Sequence, residues 1–454
     1  MPYVTSNAYP IQAMAQIHNQ SAPYVPLETF DITLGAYGSV GRFTCTTAIS
    51  ALASYGWGPH NLLGVEIENS QPYLADGSPS YPIKLYTTGA YDGKLYLAFT
   101  GDIDELSWNF DNDKLTITGR DYAGRLLDWK AVLTPKWVNM NYYQFVQAIF
   151  QGIKIPPTKY HIATQASVND SLGNILYGLG NEAGQVGKVS YGYAHSGLPT
   201  ETSYFSLPED MWNLLTLVSR AIGFIVTVHT DGTFYVGPQG GDAAVNYGTR
   251  TFTWFAPEGT PNVTPVRHLV INHGPRQYGT FVVRGFSYHP PSVQVTKAVA
   301  VGLAGSTNAT QVSIPALAKQ QLTAGVYKSG QIAAAVEDGK PNYFFYYHGQ
   351  TQTQVERDTL GIAFDIARHL YIVEGEIDGD PSLQVTTPIL LSDMSGGNLQ
   401  GYTTKPLTIA GINHMFDMSG GEDGGFVTRF RAWYEPPVGT LPAEPGVTQV
   451  EVTG

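Results

Sequence analysis

The sequence has one cysteine, no long apolar run and few charged residues, and each shortage removes a class of protein. Cys45 stands alone, which excludes an intrachain disulfide and every metal site built from several cysteines. We expect its side chain to be buried as a small apolar group. No apolar run approaches the roughly 18 residues that a membrane-spanning helix needs, so we expect no stable membrane insertion.

Positive charge is scarce and dispersed. The chain has 25 lysines and arginines against 37 aspartates and glutamates, for a formal net charge of −12. Counterion release from nucleic acid requires clustered cations, and the sequence has no basic run, so we expect no specific nucleic-acid binding. The first lysine or arginine is Arg42, so the N-terminal stretch also lacks the positive region of a secretory signal.

Glycine, proline and tyrosine are abundant instead. The chain has 50 glycines, 29 prolines and 29 tyrosines, while only 14% of its residues are charged, which is typical of a turn-rich, aromatic β protein. A chain of 454 residues is too long to fold around one hydrophobic core, and the length alone predicts roughly three to four domains.

Apolar and polar residues alternate with period two between residues 94 and 121. Leu106, Trp108 and Phe110 share one face of a predicted strand, and Leu115 and Ile117 share one face of the next. An Asp-Asn-Asp break between the two strands permits the reversal of an antiparallel hairpin. A sheet with one apolar face must close or stack, which predicts a small barrel or sandwich.

The middle of the chain predicts mixed α+β structure. Ser206-Leu207-Pro208-Glu209 is a capping box that begins a helix, and Gly223 ends it. Strands follow at 224–228 and 233–236, joined by an Asp-Gly turn. A short helix opened by Leu126, Leu127 and Trp129 is predicted after Asp121 as N-cap, and further helices are predicted at 142–150 and 354–370. Further strands are predicted at 266–272, 280–288, 371–377, 383–391, 406–416 and 426–434.

No segment carries a complete catalytic or metal-binding pattern. Gly184-Gln185-Val186-Gly187-Lys188-Val189 lacks the glycine and the hydroxyl that a phosphate-binding loop needs. His414 lies between apolar residues of a predicted strand, where a hydrogen-bonded structural histidine is expected rather than a metal ligand. The acidic clusters, expected to be solvated turn carboxylates, are Asp102, Asp104 and Glu105; Asp111 and Asp113; and Glu374, Glu376, Asp378 and Asp380. We therefore predict no catalytic, metal or cofactor site.

Three segments in this order resemble the late-control D family of phage baseplate hub proteins. The first is the strand pair that ends in Gly119-Arg120-Asp121 and continues through Asp128. The second runs from Asp210 through the Asp231-Gly232 hairpin. The third comprises 354–370, Gly379-Asp380-Pro381-Ser382-Leu383, and Gly411 to Phe416 with Thr428. Together with the strands between them, these segments cover about half of the chain.

The resemblance implies a mainly β fold with α+β insertions, in which two related antiparallel β-barrel domains flank a mixed middle domain. Three copies would form a trimeric ring that presents six similar barrels around an axial channel. The domains expected on this basis are an N-terminal arm at 1–26, a first tube-like barrel at 27–130, a middle domain at 131–262, a second barrel at 263–298 and 370–435, an inserted helical segment at 299–369 and a C-terminal tail at 436–454.

The same resemblance implies a structural role rather than an enzymatic one. The homotrimer would adapt the sixfold tail tube of a contractile phage tail to its threefold central spike. Its partners would be the tube or tube-initiator protein, the spike protein and baseplate wedge proteins. It would lie in the virion tail baseplate after assembly in the host cytoplasm, and DNA would pass through its channel.

Two other classes of function stay open from the sequence, and one group of residues is a candidate for the channel wall. The alternatives are a peptidoglycan hydrolase and a carbohydrate-binding tail module, the latter because of the 29 tyrosines and 7 tryptophans. The candidate wall residues are Asp102, Asp104 and Glu105, which follow the end of a predicted strand.

Overall fold

The computed structural model describes two strand-rich regions and a mixed region between them. The described residues are 11–17, 24–35, 38–59, 62, 81–90, 92–131, 137, 140–163, 188–189, 203–204, 210–221, 224–237, 247–257, 260, 263–272, 280–289, 292–302, 342–348, 372–397, 399, 402–403, 407–418, 425–434 and 450–453.

The first region is a sheet of seven strands with a short helix, α1 (Ile49–Ala53). Its alternation follows the sequence, because every second side chain of the seventh strand, from Leu115 to Asp121, is buried. The strands are β1 (Ala13–Ile17), β2 (Tyr24–Pro26), β3 (Thr29–Gly35), β4 (Arg42–Ala48), β5 (Pro82–Thr88), β6 (Leu95–Asn109) and β7 (Lys114–Asp121).

This sheet curls back on itself as a barrel. Its order is β3-β4-β7-β6-β5-β1-β2, so consecutive strands β2 and β3 lie at its two ends. Between them, the Leu27 amide donates to Ala13 of β1 and the Glu28 amide donates to Thr46 of β4. The segment from Tyr24 to Gly35 therefore contacts both ends of the sheet and closes it.

The middle region has its own core beneath a three-stranded sheet. Buried Phe145, Ile149, Leu214, Val218 and Phe234 belong to one apolar cluster. Its elements are α2 (Gly124–Leu127), α3 (Tyr142–Gly152), a 3-10 turn (Pro157–Lys159), β8 (Tyr160–Ile162), β9 (Lys188–Val189), β10 (Ser203–Tyr204), α4 (Met211–Ala221), β11 (Ile225–Val228) and β12 (Phe234–Gly237).

The second region contains a closed barrel and a separate four-stranded sheet. The barrel order is β19-β13-β14-β18-β21-β20, and a further pairing of β19 with β20 closes it. The other sheet has the order β17-β15-β16-β22. The strands are β13 (Arg250–Trp254), β14 (Thr264–Asn272), β15 (Thr280–His289), β16 (Ser292–Gly302), β17 (Asn342–His348), β18 (Ile372–Asp378), β19 (Pro388–Asp393), β20 (Leu407–Asp417), β21 (Gly425–Tyr434) and β22 (Val450–Thr453).

The two barrels share one continuous sheet. The C-terminal half of β20 pairs antiparallel with β3, from Gly411 opposite Gly35 to Asp417 opposite Thr29. Phe416 of β20 stacks on Phe30 of β3 with ring centroids 5.4 Å apart, and one apolar cluster extends through both barrels. The barrels are therefore one packed unit rather than domains on a linker.

The barrels also correspond strand by strand, which confirms the expected relation between them. Strands β3, β4, β5, β6 and β7 pair in the same pattern as β14, β18, β19, β20 and β21. The sixth strand of the second barrel, β13, runs parallel to both of its neighbours and occupies the place that β1 and β2 take in the first. The fold is mainly β, as expected.

Several expected domain boundaries differ from the strands that form. Ala13, Ala15 and Ile17 bury apolar side chains, so β1 lies in the first barrel instead of in an arm at 1–26. β13 belongs to the second barrel rather than to the middle domain. β15 and β16 pair with each other outside that barrel, together with β17 from the expected helical insertion and β22 from the expected tail.

The helices follow the sequence with shifted starts. α3 covers the predicted helix and begins at the capping box of Asn141 with Gln144. α4 begins after Asp210, whose carboxylate accepts from the Asn213 amide, whereas Ser206 lies outside the described residues. Asp121 is not the cap of α2, because it accepts from the Ala123 amide before the helix. The helix predicted at 354–370 also lies outside the described residues.

Candidate functional site

The outer face of the continuous sheet carries a row of polar side chains across both barrels. Directly opposed residues of neighbouring strands point to the same face. The row crosses the eight strands β14, β18, β21, β20, β3, β4, β7 and β6. We call this surface the shared face; its row consists of His268, Glu376, Arg429, Asn413, Thr33, Arg42, Arg120 and Asp102.

The half of the shared face on the second barrel forms a groove of about 840 Å³. It extends from β14 to β3, and Arg220 of α4 and Ser39 of the β3–β4 loop border it. Its floor includes Gly35 and Gly411, which lie opposite each other in the joint between the barrels. The groove thus crosses the place where one barrel passes into the next.

The arginines of the groove are paired with carboxylates. Arg429 Nε lies 2.9 Å from Glu376 Oε2, and Arg431 Nε lies 3.6 Å from Glu374 Oε1. These glutamates were expected to be solvated turn residues, which is wrong: both lie in β18, directly opposite their arginines in β21. Alternating charges of opposite sign on two antiparallel strands bring the pairs together.

An amide continues this polar network across the joint. Asn413 of β20 donates from Nδ2 to Asp31 Oδ1 at 2.6 Å and to Thr33 Oγ1 at 3.2 Å, both in β3. These contacts join strands that are about 380 residues apart in the sequence. They fix the register of the two barrels from the outer face.

On the first barrel, Arg120 binds two carboxylates. Its guanidinium donates to Asp104 at 2.7 and 2.8 Å and to Asp128 at 2.8 and 3.0 Å. The hydrogen bonds that Arg120 donates to Asp104 and to Asp128 raise its pKa, so its charge is fixed at every working pH.

The three candidate wall residues lie at the β6 end of the shared face. Asp102 is bound by the largely buried Arg125 at 2.6 and 3.0 Å, and Asp104 is bound by Arg120. Glu105 is exposed, follows a β-bulge, and has no ion-pair partner among the described residues. Two of the three charges are therefore offset by arginines. Arg120 lies in β7 and Arg125 lies in α2, so no local sequence pattern pairs them with these acids.

Beneath the shared face, His414 is buried in the second barrel. Its Nδ1 lies 2.9 Å from Thr428 Oγ1, which accepts from the Asp380 amide. Asp380 in turn binds Arg250 at 3.0 Å. Burial lowers the pKa of His414 to about 4, against the opposing effect of Asp380. The expectation of a hydrogen-bonded structural histidine is confirmed.

A second buried histidine lies in the middle region. His229 is stacked on Tyr235 with ring centroids 6.0 Å apart, and its Nδ1 is 2.6 Å from Tyr247 Oη. Burial lowers its pKa to about 4 as well. Next to it, the Thr230 amide and hydroxyl bond the side chain of Gln384, which fastens the middle region to the second barrel.

With this geometry in view, comparison with known proteins finds similarity in structure only. No family model matches the sequence, and no curated protein matches it. The fold is similar to that of a tail protein from Neisseria meningitidis MC58, with a TM-score of 0.52 and 12% identity over 94% of this chain and 96% of that one. The chain has a tail-protein fold.

Two further solved structures are similar at lower scores. A 43 kDa tail protein of prophage MuSo2 from Shewanella oneidensis has a TM-score of 0.49 at 12% identity, over 94% of this chain and 99% of that one. An E. coli component of the type VI secretion system has a TM-score of 0.46 at 9% identity, over 95% of this chain and 79% of that one.

Three further features of the described part of the chain concern metal binding, membrane crossing and its one cysteine. It contains no group of three or more histidine, cysteine, aspartate or glutamate side chains placed to hold a metal ion. Its helices are all too short or too polar to cross a membrane. Cys45 is fully buried, as expected, and burial raises the pKa of its thiol.

Proposed function

We propose that this protein is the structural hub of a contractile phage tail baseplate. In this role a homotrimer adapts the sixfold tail tube to the threefold central spike and leaves an axial channel for DNA. The observation that carries the proposal is the presence of two corresponding barrels, joined by one continuous sheet, in a chain with a tail-protein fold.

The repeat within the chain supplies the symmetry that such an adaptor needs. Three copies of a chain with two similar barrels present six similar units to one side, while the middle regions and the separate sheet occur only three times. Identical head-to-tail contacts produce a closed ring when the rotation from one subunit to the next divides a full turn evenly. The tube or its initiator would bind the sixfold side, the spike the threefold side, and wedge proteins the periphery.

In this proposal the shared face lines the channel, with Asp102, Asp104 and Glu105 at one end of it. The ion pairs of Arg120, Arg429 and Arg431 support passage of DNA without capture, because an arginine that already binds a carboxylate releases few counterions from a phosphate. The protein would be located in the virion tail after assembly in the host cytoplasm.

A non-enzymatic role belongs to the same proposal. Buried ionisable groups often occur in active sites, and three of those that the structure describes make hydrogen bonds within their own chain: Asp121, His229 and His414. Asp121 accepts from the Gly41 and Ala123 amides, which hold the start of β4 against the turn after β7. His229 and His414 bond Tyr247 and Thr428 through Nδ1, while the buried Nε2 atom of each has no hydrogen-bond partner among the described residues.

Electron microscopy of the purified protein tests the proposal. End-on views should show a ring with threefold symmetry, six lobes and a central opening. Particles with the size of one 49.3 kDa chain and no opening would contradict it.

A further inference from the structure

One long strand in each barrel extends beyond the barrel that it helps to form. β20 pairs with β19 at Leu407 and Thr408, and from Gly411 onward its free edge pairs with β3 of the other barrel. β6 has the same shape: its first half pairs with β5 as far as Asp102, and its second half continues to Asn109. Among the described strands, none pairs with the edge of that second half that faces away from β7.

A β-bulge fixes the correspondence between the two extensions. In β20 the register against β21 shifts between Ile409 and Gly411, and in β6 the register against β7 shifts between Ile103 and Glu105. Each bulge falls where the strand leaves its barrel. Glu105 therefore corresponds to Gly411, and the residues that follow correspond one by one.

A matching edge is open in the second barrel. β14 pairs with β13 from Thr264 to Val266, and beyond a register shift its remainder, from His268 to Asn272, pairs with β18 alone among the described strands. In the topology of the repeat β14 takes the place of β3, which is the strand that receives β20. The chain thus has one extension and one receiving edge that are not joined to each other.

Burial differs between the joined strands and their unjoined counterparts. Ile412, His414 and Phe416 of β20 are all buried. The corresponding residues are less buried: Leu106 and Trp108 of β6 are half-buried, and Phe110, directly after β6, is 65% exposed. On the receiving side, Phe30 and Ile32 of β3 are buried, while the corresponding Leu269 and Ile271 of β14 are half-buried. A missing neighbour at both edges accounts for the difference.

We propose that the second half of β6 pairs antiparallel with β14 of a second copy of this chain, as β20 pairs with β3 within one chain. The register of β20 against β3 gives the expected register of β6 against β14 of the neighbouring copy. It places Ser107 opposite Asn272 and Trp108 opposite Ile271 of the neighbouring copy, and it packs Phe110 on Leu269 as Phe416 packs on Phe30.

This inference rests on the proposed ring and names its interface. Because the two pairing edges are different, the contact is head to tail and each copy offers one edge of each kind. If the contacts between copies repeat the geometry of the β20–β3 pairing, the ring has three such contacts within chains and three between chains. The sheet of eight strands in each copy then continues into the next copy around the whole ring. The half-buried apolar side chains at both edges would then be covered.

A designed disulfide tests the register. Directly opposed residues of antiparallel strands have Cα atoms about 4.5 to 5.5 Å apart, within the range that a disulfide accepts. The variant Ser107→Cys with Asn272→Cys should therefore oxidise to a covalent trimer, seen on a denaturing gel without reductant and returned to single chains by reductant. Cys45 stays in place, because its buried thiol is unreactive.

The matched control shifts one cysteine by one residue. Ser107→Cys with Ile271→Cys places the two thiols on opposite faces of the sheet, so this variant should stay uncrosslinked. Ser107→Cys alone should also stay uncrosslinked, whereas a β6-to-β6 contact would give covalent dimers.

The native mass of the reduced double variant separates the two proposals. If that mass is a trimer's and the designed pair does not crosslink, or crosslinks no more than the shifted pair, the strand pairing is wrong while the ring stands. A monomer's mass without crosslinking overturns both.

Discussion

At the scale of single residues, the ion pair of Arg125 with Asp102 joins the first barrel to the middle region. The two side chains are only 7% and 14% exposed. Arg125 also donates to the Ile153 carbonyl at 3.4 Å, and its guanidinium lies 4.2 Å from the centroid of the Tyr122 ring. Asp102 therefore holds two parts of the fold together, in addition to its place on the shared face.

Removing one partner of this pair should destabilise the protein more than removing both. Arg125→Met leaves a buried carboxylate without its counter-charge, which costs about 3 to 5 kcal/mol. Combining Arg125→Met with Asp102→Leu should recover at least half of that loss. Urea unfolding of both single variants and the double variant measures the coupling. Additive losses would show that the pair is not coupled.

The two buried histidines make stability depend on pH. For His414 the folded-state pKa is about 4, below the ordinary value of 6.5. The unfolded chain therefore takes up a proton first as the pH falls, so stability is complete above about pH 6.5 and is lost between pH 6.5 and pH 4. The full loss from one such histidine is about 3 kcal/mol.

Replacing His414 should reduce this dependence. His414→Gln removes the titrating group and should lose about 2 kcal/mol less than the wild type between pH 7.5 and pH 5, measured by urea unfolding at both values. His229→Gln is the matched second variant, because burial lowers its pKa in the same way. An unchanged difference between the two pH values in His414→Gln would contradict the assignment.

At the scale of elements, β6 and β7 cross too closely for side chains at two positions. A Cβ atom at Gly119 would lie 2.1 Å from the Asp102 carbonyl oxygen, and one at Gly101 would lie 2.1 Å from the Arg120 carbonyl oxygen. Both contacts are with backbone, which has no rotamer to move away. The glycine of the Gly119-Arg120-Asp121 segment is therefore needed for the approach of two strands.

Adding one methyl group at this crossing should destabilise the first barrel. Gly119→Ala should lose on the order of 2 to 3 kcal/mol of stability, as other overpacked sites do. Gly58→Ala is the control, since a Cβ atom there has no neighbour within 4 Å. Thermal unfolding compares them. If Gly119→Ala has the same melting temperature as Gly58→Ala, the two strands can move apart without loss of stability.

Local pattern was enough to predict the elements that make local contacts. The hairpins β6–β7 and β11–β12 follow from alternation and turn residues, because each strand pairs with its neighbour in the chain. The joint between β20 and β3 was not predictable, since nothing local specifies a partner about 380 residues away. The short β1 was also missed, because five residues of mixed polarity carry a weak pattern.

The arginines that bind two of the three candidate wall residues were not predicted from the sequence. Asp102, Asp104 and Glu105 lie at the β6 end of the shared face, and their role in a channel wall stays a prediction. Their partners Arg125 and Arg120 come from α2 and β7, and the side chains meet only in three dimensions. Trp108 and Phe110 were predicted to share the apolar face of a strand, but Trp108 is half-buried and Phe110 is exposed, so alternation alone did not predict their burial.

At the scale of the whole molecule, the acidic balance and the paired arginines predict weak contact with DNA. The assembled ring should show no measurable affinity for duplex DNA at physiological salt, as tested by fluorescence anisotropy with a labelled duplex. Arg42 is exposed on the shared face and has no ion-pair partner among the described residues, so it is the residue to replace if binding is seen. Micromolar affinity that weakens steeply with salt and disappears in Arg42→Ala would refute this prediction.

The native mass in solution tests the central claim most directly. The proposed hub requires three copies, since only a ring of three places six barrels around one axis. Analytical ultracentrifugation at micromolar concentration should therefore give a single species with three times the 49.3 kDa mass of the chain. A monomer at that concentration would contradict the proposed hub and its channel.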